Sequence, residues 1–467
     1  MLEDWVGGGD CCNWTRVECD ALSHPYRAVS TIDLSFVRGG FSQDWYLNVS
    51  LFGQFMELNE LHLSSNDIAG WVNPQDIWHL KNIQRLQLGS NRLNDESIAR
   101  LIVPWIHNLT SLFELDLSWN NLKEIRWISN ITSLSSLDLS GNQIKDFSGF
   151  WGLQNLEDLY LSGNQIESVG SWIFNITSAR SIDLSDNIIK DLPSDLCQLQ
   201  DLQSLYLSKN SMKGNIDTCL KSLYSLENLD LSSNQLDGPV PTQICHMQSL
   251  HILDLSNNYL SGTIPSCLKN ITSWIRDSPI DYDPMLVLVD RSSRDVSYGV
   301  YGDPVVTNLM IKESLDLSNN YLSGEIPSQL VKLHSLSVFR VAYNNLSGII
   351  PYNDQFSTFN ESSFEGNPGL CGVLIGKNCS SKYGTSQTYH DSSNGDHEDT
   401  SKAIDNEVIF YSFIAASFAI GFWGVIAVLA FNKNGRIKFF MAADDFLYAC
   451  MDVILGLIKR VKKCISK

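Results

Sequence analysis

The chain has 467 residues and a formal net charge of −19 at pH 7. The acidic excess lies in residues 1–431, which hold 49 Asp and Glu against 25 Lys and Arg, whereas the last 36 residues hold 8 basic and 3 acidic residues. A surface this acidic would repel phosphates, so the composition argues against a nucleic-acid-binding protein.

Residues 1–28 precede the first repeated unit and contain Cys11, Cys12, Trp14 and Cys19. Met1 lies ten residues ahead of Cys11, and no apolar stretch typical of a signal peptide separates them. We therefore expect a truncation at this end, either of the gene or of its annotation.

One sequence unit recurs along most of the chain, as in Leu137-x-Leu139-x-x-Asn142. Eleven copies occur, and they end at Asn66, Asn91, Asn120, Asn142, Asn164, Asn187, Asn210, Asn234, Asn258, Asn320 and Asn344. Successive asparagines are 22–29 residues apart, except for one gap of 62 residues. This spacing is the period of leucine-rich repeats.

Each unit predicts one short strand whose leucines face inward, because strand side chains alternate between two faces. A single unit cannot bury its own apolar side, so the units must stack. We predict an α/β leucine-rich repeat horseshoe, with a parallel sheet on its concave face, over residues 29–273 and 313–351.

The asparagine ends each strand where the chain turns inside the stack. We expect its amide to bond backbone groups of its own turn and of the next repeat, which would otherwise be buried without partners.

The other strand positions face solvent on the concave side and are candidate ligand contacts. We single out Glu114, Asp116, Tyr160 and Tyr206, because the two tyrosines occupy equivalent positions two repeats apart and aromatic residues are favoured as anchors. The alternative is that these residues simply form an ordinary solvated face.

Residues 274–312 break the periodicity and are rich in Asp, Pro, Ser and Tyr. A long irregular loop inside a regular array is either functional or a spacer. We predict that it folds back beside the last repeats and brings Tyr282, Tyr298 and Tyr301 to a ligand site. Arg340 and Tyr343 of the last strand would complete that patch.

The C-terminal part reads as four segments. Residues 352–380 would close the end of the stack, and the acidic residues 381–407 would form a solvated stalk. The 24 uncharged, mostly apolar residues 408–431 are long enough for a transmembrane helix. Basic residues follow this span, so the tail 432–467 should be cytoplasmic and the repeats extracellular.

Nine N-x-S/T sequons precede the predicted span, which fits an exported and glycosylated region. Their asparagines are Asn13, Asn48, Asn108, Asn130, Asn175, Asn270, Asn345, Asn360 and Asn378.

Four cysteines occupy nearly the same place in successive repeats, 9–11 residues after the repeat asparagine. We predict the disulfides Cys197–Cys219 and Cys245–Cys267, each joining neighbouring repeats on the convex side. The alternative is that these cysteines are small buried apolar residues.

Together, these segments resemble plant leucine-rich repeat receptor-like proteins, which are cell-surface receptors without a kinase domain. The resemblance rests on CCNWTRVEC (11–19), the LSGxIP motifs near residues 236–351, and FNESSFEGNPGLCG (359–372). It implies disulfides Cys12–Cys19 and Cys371–Cys379 in the two end caps. This chain departs from the family in having Arg16 in place of a glycine, and only two repeats after the loop where four are usual.

The same resemblance implies a partner receptor kinase that pairs through the membrane span. Helices approach closely in lipid where small residues stand four positions apart, as Ala415 and Ala419 or Ser417 and Gly421 do. A co-receptor kinase is a further possible partner.

We infer a single-pass plasma-membrane receptor that binds an extracellular peptide, protein or glycan and signals through a partner kinase, in plant defence. The alternatives are a developmental peptide co-receptor, a protein resembling inhibitors of cell-wall enzymes, and a truncated remnant that does not signal. No kinase motif, metal-ligand spacing or catalytic triad occurs, so we expect no enzyme, metal or cofactor.

Overall fold

The computed structural model describes residues 10–20, 28–38, 44–146, 152–191, 196, 198–216, 220, 222–275 and 313–379. All of these residues belong to one compact unit. The predicted Cys197–Cys219 disulfide, the three loop tyrosines, the stalk, the span and the tail lie outside the described residues.

Within those ranges the chain forms twenty-one short strands and one α-helix, α1 (Asp95–Trp105). The strands are β1 (Val17–Asp20), β2 (Ala28–Asp33), β3 (Trp45–Asn48), β4 (Glu60–His62), β5 (Ile68–Val72), β6 (Arg85–Gln87), β7 (Glu114–Asp116), β8 (Ser136–Asp138), β9 (Asp158–Tyr160), β10 (Ser181–Asp183), β11 (Ser204–Tyr206), β12 (Lys213–Asn215), β13 (Asn228–Asp230), β14 (Gln235–Asp237), β15 (Ile252–Asp254), β16 (Ser261–Gly262), β17 (Ser314–Asp316), β18 (Tyr321–Gly324), β19 (Val338–Arg340), β20 (Asn345–Ile349) and β21 (Gly369–Cys371).

The main sheet joins thirteen of these strands in the order β1-β2-β4-β6-β7-β8-β9-β10-β11-β13-β15-β17-β19. Its pairs are parallel apart from the antiparallel pair β1–β2 at the N-terminal end. The register sets leucine against leucine, as in Leu115↔Leu137 and Leu137↔Leu159. These leucines are at most 1% exposed, so the apolar rows meet inside the stack.

The repeat asparagines bind backbone groups in two repeats at once. In Asn164 the side-chain nitrogen donates to Leu139 O at 3.0 Å and to Leu161 O at 3.0 Å, and the side-chain oxygen accepts from Ile144 N at 3.0 Å. Leu139 and Ile144 belong to the preceding repeat. The prediction that these bonds run to the next repeat is therefore wrong. Each asparagine packs against the end of the preceding repeat's strand, so its side chain bonds backbone groups of that repeat.

A twelfth asparagine turn follows the eleven found in the sequence. Asn367 donates to Val341 O at 2.9 Å and accepts from Leu346 N at 3.0 Å, in the same pattern. The region predicted to be only a cap, 352–380, thus begins as a further repeat. Phe356, Phe359 and Phe364 fill its interior around Phe339, with ring centroids 4.8–6.0 Å apart.

Helix α1 occupies the longest regular repeat, between Asn91 and Asn120. Asn94 caps the helix by accepting a hydrogen bond from Ser97 N at 2.9 Å. The negative charges of Asp95 and Glu96 in the first turn interact favourably with the positive end of the helix dipole. Its buried side includes Leu101 and Trp105, which explains why this repeat needs 29 residues.

The opposite side of the stack carries short 3-10 helices and three small sheets, β3-β5, β12-β14 and β16-β18-β20-β21. Gly262 and Gly324 of the LSGxIP motifs have φ of 76° and 80°, a conformation open to glycine. The 3-10 helices are Cys11–Asn13, Val49–Leu51, Pro74–Ile77, Ile106–Asn108, Arg126–Asn130, Ser171–Asn175, Thr242–His246, Ser266–Asn270, Thr272–Trp274, Ser328–Lys332, Asp354–Thr358, Glu361–Ser363 and Val373–Ile375.

Three disulfides are present in the described residues. Cys12–Cys19 and Cys371–Cys379 lie in the end regions, with Cα atoms 5.5 and 5.2 Å apart. Cys245–Cys267 joins the 3-10 helices of two neighbouring repeats, with Cα atoms 5.7 Å apart. All three pairs are ones that the sequence analysis proposed.

The stack continues directly across the irregular loop, because Leu253 of β15 is paired with Leu315 of β17. The predicted loop starts too early, since Trp274 is fully buried and donates from its indole nitrogen to His251 O at 3.0 Å. Trp274 therefore belongs to the repeat core.

No helix within the described ranges is long and apolar enough to cross a membrane. The span predicted at 408–431 lies outside those ranges.

The asparagine contacts predict a large stability loss on substitution. Asn164→Leu should lower the free energy of unfolding by about 1–3 kcal/mol, because buried backbone groups of two repeats lose their partners. Asn155→Leu is the matched control, since Asn155 makes one exposed bond, to Thr132 O at 3.1 Å. Urea unfolding of the purified variants measures both, and equal losses would contradict the proposed role of Asn164.

Candidate ligand-binding surface

The concave face of the main sheet presents two rows of side chains, one on each side of the buried leucine of every strand. From β4 to β19 the first row is Glu60, Arg85, Glu114, Ser136, Asp158, Ser181, Ser204, Asn228, Ile252, Ser314 and Val338. The second row is His62, Gln87, Asp116, Asp138, Tyr160, Asp183, Tyr206, Asp230, Asp254, Asp316 and Arg340. Eight of the eleven residues of the second row are Asp or Tyr.

All six acids of the second row, and Asp33 of β2, also hold the turn that follows their strand. A side-chain oxygen of each accepts the backbone N–H of the serine two residues later, at 2.8–3.0 Å; the residues are Asp33, Asp116, Asp138, Asp183, Asp230, Asp254 and Asp316. This bond uses one carboxylate oxygen and leaves the second for other contacts. Asp116 therefore has a structural role beside the predicted ligand contact.

In the N-terminal part of the face, acidic side chains are neutralised by a basic one. Arg85 bridges two strands, with Nη1 2.9 Å from Glu60 and Nε 3.0 Å from Glu114. All three side chains are about a third exposed, so solvent screens these pairs and each contributes little to stability. The predicted contact Glu114 is thus engaged with Arg85.

The centre of the face is acidic and partly dehydrated. Burial, followed by the charge of Asp138, raises the pKa of Asp116 from 3.8 to about 7. Burial, followed by the charge of Asp230, raises the pKa of Asp254 to about 6. These shifts are the expected result of carboxylates stacked in neighbouring strands, about 4.8 Å apart.

Tyr160 and Tyr206 lie on either side of Asp183 in the second row. Both are half-buried, and burial raises the pKa of Tyr206 to about 12, so the phenol stays protonated. The structure thus brings the two predicted anchors together across one strand, with acids on both sides.

Of the predicted C-terminal patch, the structure describes Arg340 and Tyr343. Arg340 lies at the end of β19 with Nη1 3.5 Å from Asp316, and its side chain is 62% exposed. Tyr343 does not belong to the last strand as predicted, because it follows β19 in a turn with φ of 55°. Tyr282, Tyr298 and Tyr301 lie outside the described residues.

The sequence analysis missed a second surface, on the side where the asparagine turns leave the sheet. Trp119 is 66% exposed there. An open cleft of about 390 Å³ lies on the repeats of Asn120, Asn142 and Asn164, lined by Lys123, Glu124, Ile125, Arg126, Gln143, Lys145, Asp146 and Gln165. The only sequence signal was a tryptophan at a position where the other copies have Gly, Ser, Asp, Asn or Lys, apart from Tyr343 in the last copy.

The nine sequon asparagines differ in accessibility. Six are exposed, namely Asn13, Asn130, Asn270, Asn345, Asn360 and Asn378, whereas Asn48, Asn108 and Asn175 are half-buried. Asn108 donates its side-chain N–H to Trp78 O at 2.7 Å, a bond that an attached glycan would disturb.

One group of potential metal ligands occurs in the described residues, formed by Asp10, Cys11 and Cys12. Cys12 is bonded to Cys19, so its sulfur is not available as a thiolate ligand.

The acidic centre predicts a pH-dependent stability. Because the folded-state pKa of Asp116 is raised, its contribution to stability is full below pH 4 and is lost as the pH rises through about 7. Asp116→Asn keeps an oxygen for the Ser118 bond and removes the charge. It should therefore stabilise the chain at pH 8 and have little effect at pH 4, as measured by urea unfolding.

The matched control is Asp33→Asn. Asp33 accepts the same bond from Ser35, but the residue beside it in the neighbouring strand is His62, whereas Asp116 has Asp138 beside it. A smaller gain at pH 8 is expected for this variant. Destabilisation by Asp116→Asn at both pH values would contradict the assignment.

Family models described as leucine-rich repeats match residues 110–150, 132–175, 177–236, 200–260 and 313–333. None of these models describes a catalytic domain. Among solved structures, the crystal structure of PEPR1-AtPEP1 superposes with a TM-score of 0.50 at 23% sequence identity, covering 78% of this chain and 47% of that chain. At this identity the likeness concerns the fold alone.

Two curated relatives illustrate the sequence similarity. The LRR receptor-like serine/threonine-protein kinase ER2 of Oryza sativa subsp. japonica is 46% identical over 70 residues, which are 15% of this chain and 7% of that protein. Receptor-like protein 9a of Arabidopsis thaliana is 32% identical over 126 residues, 26% of this chain and 12% of that protein. The matches span no more than 12% of the length of these relatives. The chain is a leucine-rich repeat protein that resembles the receptor-like proteins of plants.

Proposed function

We propose that the chain is the ligand-binding part of a plant cell-surface receptor, and that its concave face binds an extracellular peptide. The observation that carries this proposal is the second row of the concave sheet, where acids alternate with Tyr160 and Tyr206 on a closely packed scaffold. An extended peptide laid across parallel strands would meet one side chain of this row about every 4.8 Å.

The charge of the face suggests the chemistry of the ligand. Asp138, Asp183 and Asp230 would favour a peptide with Lys or Arg, because opposite charges across an interface steer association and fix register. The tyrosines would supply contact area at low cost in side-chain entropy.

The membrane and the signalling partner belong to the same proposal. Residues 408–431 would span the plasma membrane once, with the repeats outside and the basic tail inside, and a receptor kinase would carry the signal onward. The exposed sequons support an extracellular setting for the repeats. The loop tyrosines at 282, 298 and 301 would contact the same ligand or a co-receptor.

A peptide-library experiment tests the ligand class. Random dodecapeptides panned on the immobilised chain should yield binders enriched in Lys and Arg, and Tyr160→Ala with Tyr206→Ala should weaken them about tenfold or more. Tyr224→Ala is the matched control, since Tyr224 is 56% exposed and lies outside the concave sheet. Binders without basic residues, or an equal loss with the control, would refute a concave peptide site.

A second experiment tests the span as the contact with a kinase. Ser417→Leu with Gly421→Leu fills the small-residue face while adding apolar surface, so the variant should still insert. Recovery of receptor kinases by co-precipitation should fall several-fold at equal surface abundance. Ile414→Leu with Val428→Leu is the control that keeps the small residues. Undiminished recovery with the first pair would move the contact away from this face.

A further inference from the structure

The surface beside the asparagine turns has a feature that the concave face does not explain. Trp119 has a φ of 52°, in the left-handed region that bulky residues rarely adopt, and its side chain is 66% exposed. The equivalent residues of the neighbouring repeats are Ser90, Gly141 and Gly163. Tryptophan at this position is unfavourable for the backbone and leaves a large apolar side chain in water.

The indole of Trp119 lies against the next repeat. A Cβ added to Gly141 would come within 2.6–3.1 Å of three atoms of the six-membered ring, so only glycine leaves room for it. A Cβ added to Gly163 would meet only the backbone of Gly141, at 3.5 Å. One side of the ring is therefore supported by backbone, and the surface beyond it carries no covering side chain among the described residues.

The 390 Å³ cleft lies on the same repeats as this surface. Gln143 and Gln165 line the cleft and follow Gly141 and Gly163 by two residues. The backbone of both glutamines is fixed by hydrogen bonds to the preceding repeat: Gln143 N donates to Leu122 O, and Gln165 N donates to Ile144 O, both at 2.9 Å. The ring, the glycine surface and the cleft thus lie on the same three consecutive repeats.

The lining of the cleft identifies the class of ligand. Ile125 is its only apolar residue, and the other seven carry amide, carboxylate, ammonium or guanidinium groups. A site for an apolar peptide side chain would need an apolar pocket. Sugars match this lining, because each ring exposes several hydroxyls that both donate and accept hydrogen bonds, together with a face of C–H groups that packs on the electron-rich face of an aromatic ring.

We propose that Trp119, the glycine surface and the cleft form a binding site for a short oligosaccharide. The open face of the indole stacks on one sugar ring, and Gln143, Gln165 and the charged residues of the cleft bond the hydroxyls of the following units. The distance from the repeat of Trp119 to that of Gly163 is about 10 Å, from two strand spacings, which accommodates about two sugar units.

Titration calorimetry on the full chain tests the proposal with three hexamers: β-1,4-linked glucose, β-1,4-linked N-acetylglucosamine and α-1,4-linked galacturonic acid. At least one should bind, and the three arms distinguish neutral, acetamido and acidic sugars. Trp119→Gly should weaken the hexamer that binds by about tenfold or more. The same change should keep or raise stability in urea, because glycine accepts the positive φ without strain.

Gln143→Ala with Gln165→Ala is the second variant, since it removes hydrogen-bonding groups and leaves the ring and the backbone in place. It should also weaken the same hexamer, whereas the control Tyr224→Ala should not. Absence of binding for all three sugars overturns the proposal. A Trp119→Gly variant that is less stable but binds the sugar unchanged would also overturn it. So would a Trp119→Gly variant that binds the sugar unchanged but no longer binds the dodecapeptides selected on the chain.

Discussion

The interaction on which the structure depends is the amide of the repeat asparagine, buried where two repeats meet. Each amide donates to carbonyl groups of its own turn and of the preceding repeat and accepts a backbone N–H from that repeat, as Asn164 does with Leu139, Leu161 and Ile144. Strands of three residues provide few ladder bonds, so this side chain supplies the pairing that short strands lack. Leucine burial drives the stacking, and the asparagine sets its register.

Much of the scaffold could be predicted from the sequence because the period repeats both the apolar rows and the asparagine. The prediction failed where local chemistry replaced the period. Asn367 was missed because the 3-10 helix Glu361–Ser363 stands where the other repeats have a strand with a central apolar residue. Trp274 was assigned to the loop because its bond to His251 O joins residues 23 apart in sequence. Helix α1 was not foreseen, although Asn94 and the acids after it are the usual start of a helix.

The candidate site could be predicted only in part. Alternation along the strand identified Asp116, Tyr160 and Tyr206 as concave, since that follows from backbone geometry alone. The engagement of Glu114 with Arg85 and the raised pKa of Asp116 depend on which side chains stand in the neighbouring strands. Trp119 carries no periodic signal, and its importance rests on backbone conformation and on Gly141 in the next repeat.

Because Leu253 pairs directly with Leu315, the sheet of the repeats is continuous and does not need the irregular segment inserted in the chain between these two residues. Both ends of the insertion are fixed by the same stack, and the entropy of closing a loop grows only with the logarithm of its length. Residues 276–312 could therefore change in length and composition with little effect on the repeats. Such a junction lets natural variation, or a designer, exchange the inserted segment while the array that carries it stays constant.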